Sequence, residues 1–183
     1  YQFSKAVNPV RDFFWLEFAD YYIEEVKHRI YNKKDKTRKA AQFTLQYVLT
    51  DCLKMLAPFL PHITEEIMQS FFKEKLKKKS IHLEEWPKAE EKKINKYYEQ
   101  LGKTMNEIIS ALRKYKSGNG LPLNTEVKKA TVFLKGKELL KKIEEAREEI
   151  RKTMNVTTLD VLVAEAPEKA IEVSEGIKIE VNL

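Results

Sequence analysis

Lys27, Arg29, Lys33, Lys34, Lys36, Arg38 and Lys39 crowd together with His28 and Tyr31 among them. Cationic side chains interleaved with rings suit phosphate contacts plus a stacked base, which makes this run a candidate for nucleic-acid binding. A solvated, solubilising turn is the alternative reading of the same residues. Lys73, Lys75, Lys77, Lys78 and Lys79 form a denser run, and at a helix C-terminus such lysines also complement the dipole. Arg113 and Lys116 share one side of a helix just before Ser117-Gly118-Asn119-Gly120, where a backbone can approach closely. That pair is the better candidate for RNA contact.

Other chemistry is not written in the chain. A metal site needs several ligands at fixed spacings, whereas His28, His62 and His82 fall in different elements and Cys52 is the single cysteine, so no metal is assigned. Gly136-Lys137 lacks a glycine-rich phosphate loop before it, and no nucleotide-binding glycine fingerprint or nucleophile elbow occurs. Carboxylate pairs such as Glu24-Glu25, Glu144-Glu145 and Glu148-Glu149 are adjacent on helices and point to different sides, as solvated faces do. No catalytic residue is assigned.

The elements that must position these groups are mostly helical. Asn8-Pro9 reads as a helix start, with Val10, Phe14, Phe18, Tyr21, Tyr22 and Val26 on roughly one face up to Tyr31. The basic stretch from Asn32 to Lys36 leads to a second helix with Asp35 as its N-cap. That helix carries Ala41, Leu45, Val48, Leu49, Cys52, Leu53 and Leu56 at helical spacing and closes at Pro58. Pro61 opens a third, expected to reach Leu76, with Glu65 and Glu66 near the positive end of its dipole. Ser80 to Pro87 reads as an extended crossover. Ile94, Tyr98, Leu101, Met105, Ile108, Leu112 and Tyr115 alternate spacings of four and three, which predicts a fourth helix lying lengthwise on a bundle.

After Pro122 the period changes. Ala130, Val132 and Leu134 alternate as a strand does, a helix follows from Gly136 to Ile150, and a second strand carries Leu159, Val161 and Val163. Such a crossover implies parallel neighbours. Ile171 to Val173 and Ile177 to Val181 flank Ser174-Glu175-Gly176 as a closing hairpin. The expected fold is therefore mainly α, an antiparallel helix bundle over 1–123 followed by a small α+β module over 124–183.

With 183 residues and 43% hydrophobic side chains, the chain can bury a core without staples. Its net charge of +6 favours an anionic partner. Residues 1–123 hold 23 basic and 16 acidic side chains, and 124–183 hold 11 and 12, so the excess lies wholly in the first part. Cys52 has no thiol to pair with, which fits a reducing, cytoplasmic setting, and no apolar run or leader predicts a membrane span. A chain opening at Tyr1 without methionine reads as a piece of something longer.

Leu56-Ala57-Pro58-Phe59-Leu60-Pro61-His62-Ile63-Thr64-Glu65-Glu66-Ile67, read after the helix from Trp15 to Lys27, resembles the C-terminal anticodon-binding region of class I valyl-tRNA synthetases. Glu85-Trp86-Pro87, Ile109 to Lys116 and Gly120-Leu121-Pro122-Leu123-Asn124 extend the resemblance in the same order. The corner alone is shared with leucyl and isoleucyl enzymes, whereas Phe18 to Glu24 and Arg113 to Asn124 point more to the valine enzyme. Ala19 stands where relatives often have cysteine.

The resemblance implies a tRNA-binding part of a valine-tRNA ligase, with tRNA(Val) and the catalytic domain of the same parent chain as partners and a monomer as its state. Ile23 takes the position of the family's anticodon-facing residue, and Tyr22 stands beside it as a stacker. Lys27, Lys33, Lys34, Arg38, Arg113 and Lys116 are the expected backbone contacts. The family's ATP-handling signatures are absent, so the chain has no cofactor of its own and cannot aminoacylate alone. ATP and magnesium belong to the parent enzyme. In relatives a further bundle helix with anticodon contacts precedes the first one here. The corresponding domain of an isoleucyl or leucyl enzyme, or a helical scaffold for a protein partner, remains as an alternative.

Overall fold

The computed structural model describes residues 2–182 and divides into two compact units, Tyr1–Glu91 and Lys92–Leu183. The first unit is helical. One helical rod begins as α1 (Phe3–Asp12), continues through a π-helical stretch (Phe13–Tyr22) and ends as α2 (Ile23–Tyr31). The expected start at Asn8-Pro9 is thus corrected, because Pro9 lies inside α1. A proline there removes one backbone donor from the ladder. A turn leads to α3 (Arg38–Leu56), followed by α4 (Pro61–Phe71).

The corner between α3 and α4 forms as its prolines require. The N–H groups of Ala57, Phe59 and Leu60 donate to the carbonyls of Leu53, Leu56 and Leu56, so the last turn of α3 is satisfied. Pro61 then occupies the first turn of α4, where its missing N–H costs nothing. The helix stops at Phe71, earlier than the expected Leu76. Phe72 and Leu76 turn back onto a cluster of Leu53, Ala57, Met68 and Ile81, and burial of those rings and chains outweighs continuing the helix into water. A short 3-10 turn at Lys73–Lys75 makes the reversal, and another at Ile81–Leu83 interrupts the crossover.

The second unit is α+β. The long helix α5 (Lys96–Gly118) is capped by Asn95, whose side chain accepts from the Tyr97 N–H at 2.9 Å. Its apolar face, with Ile108, Ile109 and Leu112 wholly buried, packs against α6 (Glu138–Thr153) and the strands β3 (Ile171–Ser174) and β4 (Ile177–Asn182). This differs from the expected boundary after Leu123, which grouped the helix with those before it. Helical periodicity predicts that a face is buried but not what buries it.

The strands β1 (Val127–Leu134) and β2 (Val156–Val163) are parallel neighbours joined by α6, and the sheet order is β2-β1-β4-β3. Ala130, Val132 and Leu134 face Leu159, Val161 and Val163 on one side and Val181, Ile179 and Ile177 on the other, giving the predicted apolar face. Lys129, Thr131 and Phe133 alternate to the opposite face, where the Lys129 ammonium meets the Asp160 carboxylate at 2.9 Å. Gly176 takes φ +78 in the hairpin turn, a value that favours glycine.

Candidate nucleic-acid interface

Aromatic side chains dominate the middle of the first rod. In the π-helical stretch each N–H reaches five residues back, and the last of these bonds runs from the Ile23 N–H to the Phe18 carbonyl. Ile23 therefore stands where the wider helix narrows to an ordinary one. The Phe18 ring is buried and stacks on Tyr22 with centroids 5.9 Å apart and planes 17° apart. Tyr22 and Ile23 are themselves half-buried: each is seated against the core and keeps a face to solvent. Trp15 and Leu16, in the same stretch, are well exposed. Nothing in the sequence signalled the π geometry.

The basic turn after α2 is built by Asp35 and Arg38. Asp35 accepts from the Thr37 N–H at 2.8 Å and from the Thr37 hydroxyl at 2.6 Å. Thr37 rather than Asp35 is the residue flanking the helix, so the expected cap acts two residues early, as a turn-former. Arg38 Nε donates to the Ile30 carbonyl at 2.8 Å, closing the C-terminal end of α2 onto the start of α3. The tips of Lys33 and Lys34 lie in water, while Lys27 is exposed and paired with Glu24 one turn away.

Lys116 is corrected outright. Its side chain is wholly buried, and Nζ donates to the carbonyls of Leu123 (2.9 Å), Thr125 (2.7 Å) and Met154 (2.6 Å). An ammonium has three donors, and all are spent. Burial pushes its pKa below the ordinary value, while the three carbonyl dipoles hold the charged form in place. Lys116 ties α5 to the following loop and to α6, and has no face left for a phosphate. Arg113, one turn earlier, is half-buried.

Two carboxylates, Glu65 and Glu84, organise the lysine-rich loop. Glu84 Oε1 accepts from the N–H groups of Lys77 and Lys78 at 2.8 and 2.9 Å, and Oε2 accepts from Lys54 Nζ at 3.2 Å. Glu65 Oε1 accepts from Gln69 Nε2 at 2.8 Å, while Oε2 accepts from the Ser80 hydroxyl at 2.8 Å and the Ile81 N–H at 3.0 Å. The Gln69 bond, seconded by Ser80 and Ile81, holds the Glu65 carboxyl below its usual range against the opposing effect of burial. Burial pushes Glu84 up, yet the Lys78, Lys54 and Lys77 donors together outweigh it and leave the group lowered. Glu65 was expected to act on the helix dipole; its bonds to the loop add a second task. Among the described residues, no group of three or more metal-ligating side chains occurs.

A family model described as the anticodon-binding domain of tRNA ligase matches residues 1–133, which takes in every helix from α1 to α5. This chain belongs to that family. A valine–tRNA ligase of Pyrococcus furiosus is 39% identical over 176 residues, covering 94% of this chain and 19% of that protein. One from Thermococcus kodakarensis is 38% identical over 181 residues, covering 97% and 20%. One from Methanothermobacter thermautotrophicus is 38% identical over 175 residues, covering 94% and 19%. The chain thus spans about a fifth of the length of these curated relatives. In this anticodon-binding domain Tyr22, Ile23, Lys27, Lys33, Lys34 and Arg38 run from the junction of the π-helical stretch with α2, along α2, to the turn before α3 and its first residue, whereas Arg113 and Lys116 belong to the other unit.

Proposed function

We propose that the chain is the tRNA-gripping part of a valine–tRNA ligase, holding tRNA(Val) while a catalytic domain of the same parent chain performs ATP- and magnesium-dependent aminoacylation. The observation that carries this reading is membership of the anticodon-binding family together with valine–tRNA ligases that align along nearly the whole chain. The helices of the first unit are read as that family's antiparallel bundle. The protein acts as a cytoplasmic monomer.

The chain's own contribution is binding and positioning. Tyr22, stacked on Phe18, and Ile23 beside it form an apolar and aromatic platform for an unstacked anticodon base, since a base removed from its stack regains contact on a ring or aliphatic face. Lys33, Lys34 and Arg38 stand beyond the far end of α2 from the platform, where phosphates of the same arm would pass, and Lys27, one turn from the platform, joins them by exchanging Glu24 for a phosphate. Arg113 adds a contact from α5. These contacts fix register and orientation, and the platform reads the base.

The test is equilibrium binding of the chain to valine tRNA and to the same tRNA with a swapped anticodon. Close packing of Ile23 against one base, whose shape changes when the anticodon is swapped, predicts a preference of about tenfold for the valine anticodon, abolished by Ile23→Ala. Equal affinity for both tRNAs in the unaltered chain would contradict the reading.

A further inference from the structure

The fold returns the second lysine run to the helix that the first basic turn opens. Helix α4 folds back from the proline corner, and its C-terminal end, with the turn beyond it, forms a cleft with Gln46 on α3: Gln69, Phe71, Lys73 and Lys75 line it. From Lys39 to Gln46 is seven residues of α3, a rise of about 10 Å, or roughly three stacked nucleotides. Between them stands Phe43, 64% exposed, its ring stacked on Tyr47 at 5.9 Å and 21°. The Tyr47 hydroxyl donates to Glu90 at 3.1 Å, so the ring behind Phe43 is held in place. Phe71 at the far end is 76% exposed.

Five exposed lysines outnumber Glu74, the exposed carboxylate set between Lys73 and Lys75 in the same cleft lining. Glu84 and Glu65 are occupied with backbone donors at Lys77, Lys78 and Ile81, with the Ser80 hydroxyl, and with Gln69 and Lys54. Gln69 Nε2 further holds the Lys79 carbonyl at 2.8 Å. The loop backbone is thereby fixed while Lys73, Lys75, Lys77, Lys78 and Lys79 are all exposed. All five lie past the last turn of α4, which leaves little of their charge to the helix dipole.

We propose that Lys39, Phe43, Phe71 and the pinned lysine loop form a second RNA-binding strip, distinct from the Ile23 platform, which takes a single-stranded stretch of the same tRNA by stacking and phosphate contact without reading its sequence. The proposal rests on the tRNA-binding reading above. Exposed rings set between ammonium groups along one track are what sequence-tolerant single-strand binding needs, since every base has a face to stack and every nucleotide a phosphate.

The experiment is a salt titration of valine tRNA and anticodon-swapped tRNA binding to three forms of the full chain: unaltered, the combined Lys73→Gln, Lys75→Gln, Lys77→Gln, Lys78→Gln and Lys79→Gln variant, and Phe43→Ala with Phe71→Ala. Circular dichroism melting checks that the variants remain folded. The glutamine variant should bind both tRNAs about tenfold more weakly, and the slope of log affinity against log salt should shrink by ~0.7 for each phosphate that the chain no longer neutralises. The alanine variant should weaken both about tenfold with its slope unchanged. In every form the ratio between the two tRNAs should stay as it is. Folded variants that keep the original affinity and slope would overturn the strip while leaving the anticodon platform standing. A changed ratio would show that the strip reads sequence, which also contradicts the proposal. Absence of any preference in the unaltered chain would instead remove the platform reading.

Discussion

The ammonium of Lys116, in the last turns of α5, donates to the carbonyl of Met154 just past the end of α6 across 2.6 Å. With the Leu123 and Thr125 carbonyls as its other acceptors, one side chain closes the end of α5, the loop after it and the end of α6. A buried charge is tolerable there because each N–H finds an oxygen, and removing it strands three carbonyls away from water.

Lys116→Met should therefore destabilise the chain by about 3 kcal/mol, the cost of orphaned buried acceptors outweighing the gain from an apolar side chain of similar length. Denaturant unfolding measures it. Below the lowered melting temperature its tRNA affinity should equal that of the unaltered chain. A stable Lys116→Met variant with weakened tRNA binding would restore this residue as a phosphate contact.

Acid should unfasten the lysine loop. Glu65 and Glu84 have folded pKa values below their ordinary 4.5, so the stability they confer is complete above that value and is lost as pH falls through the lowered ones. Amide hydrogen exchange at Lys77, Lys78 and Ile81, the residues whose N–H groups these carboxylates accept, should lose protection on acidification before the helix α3 does. Equal loss of protection in the loop and in α3 would show that the carboxylates do not govern the loop.

Cys52 should be inert. Burial, aided by the neighbouring Asp51, pushes its thiol up to about 11, leaving roughly one thiolate in a thousand at pH 8 even before access is considered. A thiol reagent should label it only at the rate of unfolding, so labelling that rises in parallel with denaturant is the expected result. Fast labelling of the native chain would contradict the buried position.

Tyr22→Phe should leave tRNA binding within about twofold, because the ring stacked on Phe18 is what the platform uses. Tyr22→Ala should lower affinity about tenfold. A large loss in Tyr22→Phe would assign the hydroxyl, rather than the ring, to recognition.

Much of this architecture is visible in residue pattern. Pro58 and Pro61 dictate a corner because one cannot continue a helix and the other suits the start of the next, and Ala130, Val132 and Leu134 dictate a strand face by simple alternation. The parallel β1–β2 pair follows from the helix between them. Local placement is legible where position along one segment suffices, as with Tyr22 next to Ile23 and the turn from Asn32 to Arg38. It is not legible where the partner is distant in sequence. Lys116 looks like an exposed helix-end lysine until Met154 arrives from 38 residues away, and Glu84 looks like surface charge until the loop at Lys77 and Lys78 closes on it. The π-helical stretch escapes for another reason. Its hydrogen-bond pattern has no residue signature comparable to a proline or a cap.

The central claim is that the start of α2, at Ile23, meets the anticodon. Footprinting of valine tRNA by the bound chain, with nuclease or hydroxyl radical, reads this directly. Protection of the anticodon-loop nucleotides that disappears in Ile23→Ala, with the rest of the footprint retained, is the predicted result. A footprint that spares the anticodon loop, or an unchanged one in Ile23→Ala, would contradict the account.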